Sequence, residues 1–247
     1  MEHEQSRRQF LATAVGGAVG LSLMAGVEVA AAQGERLKTG SIVLFQGDSI
    51  TDFGRNRGYA GANDPGALGT GYPLLVASAA LRDHPGDWLR FFNRGVSGNT
   101  VPDLQARWEE DTLAIEPDVL SILIGVNDIW HTLEGSFNGT VQSYERDYSA
   151  LLDRTRRALP STRLVVLEPF VLRTGAVDAR WFPEFDERRA VARRVAQQAG
   201  ATFIPLQEMF DELAEKAPPG YWLRDGVHPT PAGHAAIAER WRKVVDL

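Results

Sequence analysis

In LFQGDSITDFGR, residues 44–55, an apolar run stops abruptly at Gly47, Asp48 and Ser49. With the residues before it, SIVLFQG (41–47) is too continuously apolar for a strand with one wet face. It reads as a strand covered on both sides, ending in turn-forming residues that carry a hydroxyl and carboxylates. A lone serine there does no more than close a strand, so a chemical role requires partners from elsewhere in the chain.

Four further runs share the pattern: WLRFFN (88–93), DVLSILIG (118–125), RLVVLEPF (163–170) and ATFIPL (201–206). Helical spacing is expected near 71–82, 102–114, 139–158 and 183–199, with a last helix at 231–246. Thr230 suits the cap of that last helix and Pro231 its first turn. Ile237, Trp241, Val244 and Val245 form its apolar stripe, and His234 on the same stripe reads as a packed histidine. Strands alternating with helices through right-handed crossovers predict an α/β fold. The expected form is a three-layer, doubly wound, flavodoxin-like five-stranded parallel sheet of order 2-1-3-4-5.

The N-terminal stretch is of another kind. SRRQFLA (6–12) precedes an uncharged, glycine-spaced segment and the small residues Ala30-x-Ala32. Residues 1–32 therefore resemble a twin-arginine-type signal peptide, leaving residues 33–247 as one domain without repeats or long linkers. The apolar segment is shorter than the roughly 20 residues of a membrane span. Export to the periplasm or beyond is expected, with no stable membrane insertion after processing. Residues 33–247 carry 24 basic and 29 acidic side chains, a net charge of −5, which argues against nucleic acid as a partner. With no cysteine, an exported chain relies on its core rather than on disulfides. Homo-oligomerisation is left open.

In a doubly wound sheet the ligand site lies beyond the carboxyl ends of the strands, near the reversal of strand order. Three ends meet there: GDS after the first strand, NRGVSGNT (93–100) after the second and IGVND (124–128) after the third. Ser49 offers a hydroxyl, Gly98 an unscreened N–H and Asn127 a carboxamide. The N–H groups of Ser49 and Gly98 with Asn127 make a candidate three-donor oxyanion hole. Of the five histidines, His3 lies in the signal, His84 in a loop, and His131 has no obvious carboxylate to orient it. In YWLRDGVHPTPAGH (221–234), Asp225 precedes His228 by three residues in a glycine-containing turn. One loop can thus bring carboxylate and imidazole together, Asp225 on Nδ1 and Nε2 free for the Ser49 proton.

These residues resemble the SGNH (GDSL-type) hydrolases. GDSIT with Ser49, SGNT with Gly98, GVND with Asn127 and DGVHP with Asp225 and His228 run in the family's order across nearly all of residues 40–245. GALGTGY (66–72), NRGVSGNTVPDLQARWEED (93–111) and IGVNDIW (124–130) are similar to the acetylxylan esterase branch. The resemblance implies a serine esterase that removes acetyl groups from xylan or xylo-oligosaccharides without metal or cofactor. Arg224 departs from it, standing where an aromatic residue is expected. A lipase or thioesterase acting on longer acyl esters is the alternative within the fold. Asp48 and Asp128 flank the site like the acid and base of a glycosidase, but read as hydrogen-bonding supports. Trp130, Tyr221 and Trp222 either stack on a sugar ring or belong to core and rim. Thr51 breaks the G-x-S-x-G pattern of a nucleophile elbow, and the first strand is not followed by G-x-G-x-x-G, which disfavours a flavin or nucleotide module.

Overall fold

A computed structural model of the chain describes residues 37–247, so the expected signal segment lies outside the described residues. β1 (Ile42–Gly47) passes into α1 (Ser49–Asp52) and α2 (Pro65–Leu68), then α3 (Tyr72–Asp83) and β2 (Arg90–Asn93). There follow α4 (Val101–Asp111), β3 (Val119–Leu123), α5 (Val126–Leu133), α6 (Val141–Ala158), β4 (Arg163–Leu167) and α7 (Glu184–Gln198). β5 (Thr202–Ile204), α8 (Gln207–Ala214), α9 (Pro219–Trp222) and α10 (Pro231–Val245) complete the chain. Caps mark where helices begin: Asp103 Oδ2 accepts from both the N–H and the hydroxyl of Thr100 ahead of α4, and Thr230 Oγ1 accepts from Gly233 N–H at the head of α10.

All strand pairs are parallel, as the apolar runs predict, and the order is β2-β1-β3-β4-β5. Successive side chains of a strand point to opposite faces, so each inner strand feeds two cores. Val43 and Phe45 join Tyr72, Phe91 and Trp241 on one face; Leu44 joins Trp108, Tyr148 and Leu152 on the other. Burying each such side chain contributes roughly 1.5–3 kcal/mol. Ser121, on β3, is a buried polar residue within the sheet, and its hydroxyl accepts from Trp241 Nε1 at 2.9 Å.

The strands are shorter than the runs that announce them. Trp88 is 76% exposed with φ +50°, outside the ladder, so β2 starts at Arg90. After β3, Ile124, Val126 and Ile129 stay buried, but from a turn and from α5 rather than from the sheet. Apolarity reports burial and not backbone form, which is why α5 is hidden behind an apparent strand. Likewise Leu206 looks like strand and instead precedes α8.

Candidate active site

Ser49 opens α1 at the carboxyl end of β1, where its N–H has no acceptor among the described residues. Its Oγ lies 2.8 Å from His228 Nε2, across 179 positions of sequence. His228 Nδ1 lies 2.7 Å from Asp225 Oδ2. With Nδ1 donating to the carboxylate, Nε2 is the acceptor facing the hydroxyl, a tautomer assigned from this network. Asp225 Oδ1 also accepts from the N–H groups of Val227 (3.0 Å) and His228 (2.8 Å). Burial acts to raise the Asp225 pKa, but these hydrogen bonds and the neighbouring imidazole together hold it below the usual carboxylate value.

The loop carrying both residues is pinned by main chain. Arg224 N–H donates to His228 O at 2.9 Å and closes a narrow hairpin. Leu172 N–H donates to Gly226 O and Ala176 N–H to Asp225 O, so residues 172–177 lie directly against it. Gly226 has φ +90°, and a Cβ there would fall 2.4 Å from Thr174 O and 2.6 Å from Leu172 O. Only glycine fits.

Gly98 follows β2, with φ +82° and an N–H that meets no acceptor among the described residues. Asn127 stands in the first turn of α5, one Nδ2 hydrogen directed to Asn99 O at 3.0 Å and the second available. Val101 N–H reaches Asp128 Oδ1 at 3.2 Å, a second tie between the Gly98 loop and α5. Asp48 Oδ1 accepts from Ile50 N–H at 3.0 Å. Both carboxyls are almost fully buried, with their Oδ2 atoms unpartnered among the described residues. Burial, the main cause, pushes each up to about 7.

Sequence reading missed two residues that hold the site. Asp52 accepts from Ser97 N–H at 2.9 Å and from its hydroxyl at 2.6 Å, with Arg57 also paired to it, and so anchors the loop that presents Gly98. Burial would raise its pKa, but the Arg57 and Ser97 hydrogen bonds hold it low. Asn93, fully buried at the end of β2, donates to Thr51 O (2.6 Å) and Leu68 O (2.9 Å) and accepts from Gly95 N–H (2.9 Å). A polar side chain closing an otherwise apolar strand was the available signal.

The aromatics divide. The Trp130 ring sits 5.8 Å from the His228 ring and 5.6 Å from that of Trp181. Tyr221 is exposed and stands edge-on to Trp222 at 4.9 Å, just ahead of the Asp225 loop. His234 is buried, accepts Tyr72 N–H on Nδ1 and has its pKa lowered by burial to about 4, a packed histidine as expected. Among the described residues no group of three or more His, Cys, Asp or Glu is placed to hold a metal ion.

Residues 45–236 match the GDSL-like Lipase/Acylhydrolase family. The chain belongs to this family. It is a carboxylic ester hydrolase of the serine type. The acetylxylan esterase of Geobacillus stearothermophilus is 34% identical over 217 residues, spanning 86% of this chain and 97% of its own. A candidate GDSL-like lipase from Parabacteroides merdae has a crystal structure matching at TM-score 0.83 and 46% identity, over 85% of this chain and 98% of that one. A catalytic mutant of the Geobacillus esterase, with a histidine changed to alanine, matches at TM-score 0.78 and 32% identity, over 86% of this chain and 97% of that one. Two further catalytic mutants of that esterase change a serine and an aspartate.

Proposed function

We propose that this GDSL hydrolase removes acetyl groups from a carbohydrate, xylan or xylo-oligosaccharides, through a Ser49–His228–Asp225 triad. The observation that carries the reading is the unbroken chain from Ser49 Oγ to His228 Nε2 at 2.8 Å and from His228 Nδ1 to Asp225 Oδ2 at 2.7 Å. Ser49 attacks the acetyl carbonyl as His228 takes its proton. The oxyanion is met by the N–H groups of Ser49 and Gly98 and by Asn127, each donor worth roughly 3–4 kcal/mol in the transition state. His228 then protonates the departing sugar hydroxyl, and the same imidazole activates the water that frees acetate. The acetyl preference and the carbohydrate draw their support from likeness to the Geobacillus esterase. The twin-arginine-type signal would place the enzyme in the periplasm or outside the cell.

A second reading, hydrolysis of longer acyl esters, is favoured by the 46% identity to the candidate lipase. Acetate release from acetylated xylo-oligosaccharide, together with rates on aryl acetate against aryl octanoate, separates the two. The acetyl reading predicts strong preference for acetate; preference for octanoate overturns it. Localisation is tested by following the size and compartment of the expressed full chain.

A further inference from the structure

On α5, Asn127, Trp130 and His131 stand at positions i, i+3 and i+4, which brings their side chains onto one face of the helix. The first two are already placed at the site: Asn127 against the Gly98 loop, Trp130 against His228. The third is not used by the reaction as described. A Cβ built on Gly98 would lie 4.0 Å from His131 Cε1, so the imidazole faces the backbone whose N–H is offered to the ester. The missing glycine side chain leaves the space between them open. His131 is half-buried, and among the described residues neither ring nitrogen has a hydrogen-bond partner. Ser49 Oγ is already engaged by His228, and no carboxylate orients the His131 ring, so a second base for the nucleophile is not what this geometry provides.

We propose that His131 is a specificity-determining residue that hydrogen-bonds the alcohol half of the ester, through a hydroxyl on the carbon next to the acetylated one. With the acyl carbon between Ser49 Oγ and the oxyanion donors and the leaving oxygen turned to His228, on this proposal the adjacent carbon passes over the α5 face where Trp130 packs on His228 and the neighbouring His131 imidazole has free donor and acceptor capacity. A vicinal diol monoester, the unit repeated along a partly acetylated sugar, presents a hydroxyl to it; a simple alkyl ester presents none. A site with a polar group set for a hydroxyl disfavours the analogue that lacks it. This rests on the serine acetylesterase reading given above.

The test uses two substrates that differ only in that hydroxyl, 2-hydroxyethyl acetate and ethyl acetate, with kcat/KM measured on the full chain. The wild type is expected to favour the hydroxylated ester by about five- to tenfold, the size of one neutral hydrogen bond. In His131→Phe that ratio should fall to about 1, and in His131→Asn, which keeps an N–H donor, it should recover in part. A wild-type ratio near 1, or an undiminished ratio in His131→Phe, overturns the proposal while leaving the acetylesterase intact. Failure to hydrolyse either acetate, or undiminished activity in Ser49→Ala, instead removes the reading on which it rests.

Discussion

Two sets of carboxyls lie at the same rim and are treated oppositely. Asp225 is partly exposed and accepts three hydrogen bonds across its two oxygens, so its charge is welcome. Asp48 and Asp128 are buried, each accepts one N–H from elsewhere in the chain, and each leaves an oxygen bare. Their pKa values are driven up to about 7 while that of Asp225 is driven down. The same functional group thus serves as a fixed anion against an imidazole in one place and, in the other, as a buried support that takes up a proton as pH falls through about 7. Burial, nearly complete at Asp48 and Asp128 and partial at Asp225, sets most of the difference, and the larger number of donors on Asp225 adds to it.

The strongest way to break this comparison is to remove the proposed nucleophile or the anion. Ser49→Ala should lower kcat for an aryl acetate by about 10⁴-fold or more, with an unchanged thermal transition. Asp225→Asn should cost about 10⁴-fold through the wrong imidazole tautomer. Asp128→Asn, which replaces a group whose pKa is raised to about 7 by a neutral one of the same shape, should cost less than about tenfold. Equal losses at 225 and 128 would erase the distinction.

The next effects are on stability. Asn93→Ala strands two carbonyls and one N–H and should cost about 2–4 kcal/mol, read as a Tm lowered by roughly 5–15 °C. Between the ordinary carboxylate value of 3.8 and about 7, the folded chain keeps protons on Asp48 and Asp128 that the unfolded chain has released. Their contribution to stability is therefore full below that window, declines as pH rises through it, and is flat above it, by at most about 4 kcal/mol each. Asp225, with its pKa lowered, contributes above 3.8 and loses that contribution as pH falls below it. Thermal melts from pH 4.5 to 8 should show the decline, and Asp128→Asn should flatten part of it. This pH dependence sharpens the contrast with the least perturbation.

The sheet was legible because a strand covered on both faces needs an unbroken apolar run, and five such runs are hard to arrange otherwise. The meeting of Ser49, Asp225 and His228 was legible because one short loop carries two of them and the fold returns it to the end of β1. The helix α5 was not, since Ile124, Val126 and Ile129 are as apolar as the strand before them. Nor were the ties of Asp52 to Ser97 and of Asn93 to Thr51, which span 45 and 42 positions and exist only once β1 and β2 lie side by side. Such pairings are written in the topology rather than in local pattern.

The press of residues 172–177 against Asp225 and Gly226 has a practical corollary for redesign. Because main-chain atoms clamp the acid in place, the exposed side chain of Arg224 is open to saturation mutagenesis, whereas Arg173, also exposed, stacks on the Phe182 ring at 4.0 Å. Libraries at Arg224 would vary the surface beside the Asp225 loop without disturbing the main-chain clamp, whereas randomising Gly226 would yield mostly inactive clones.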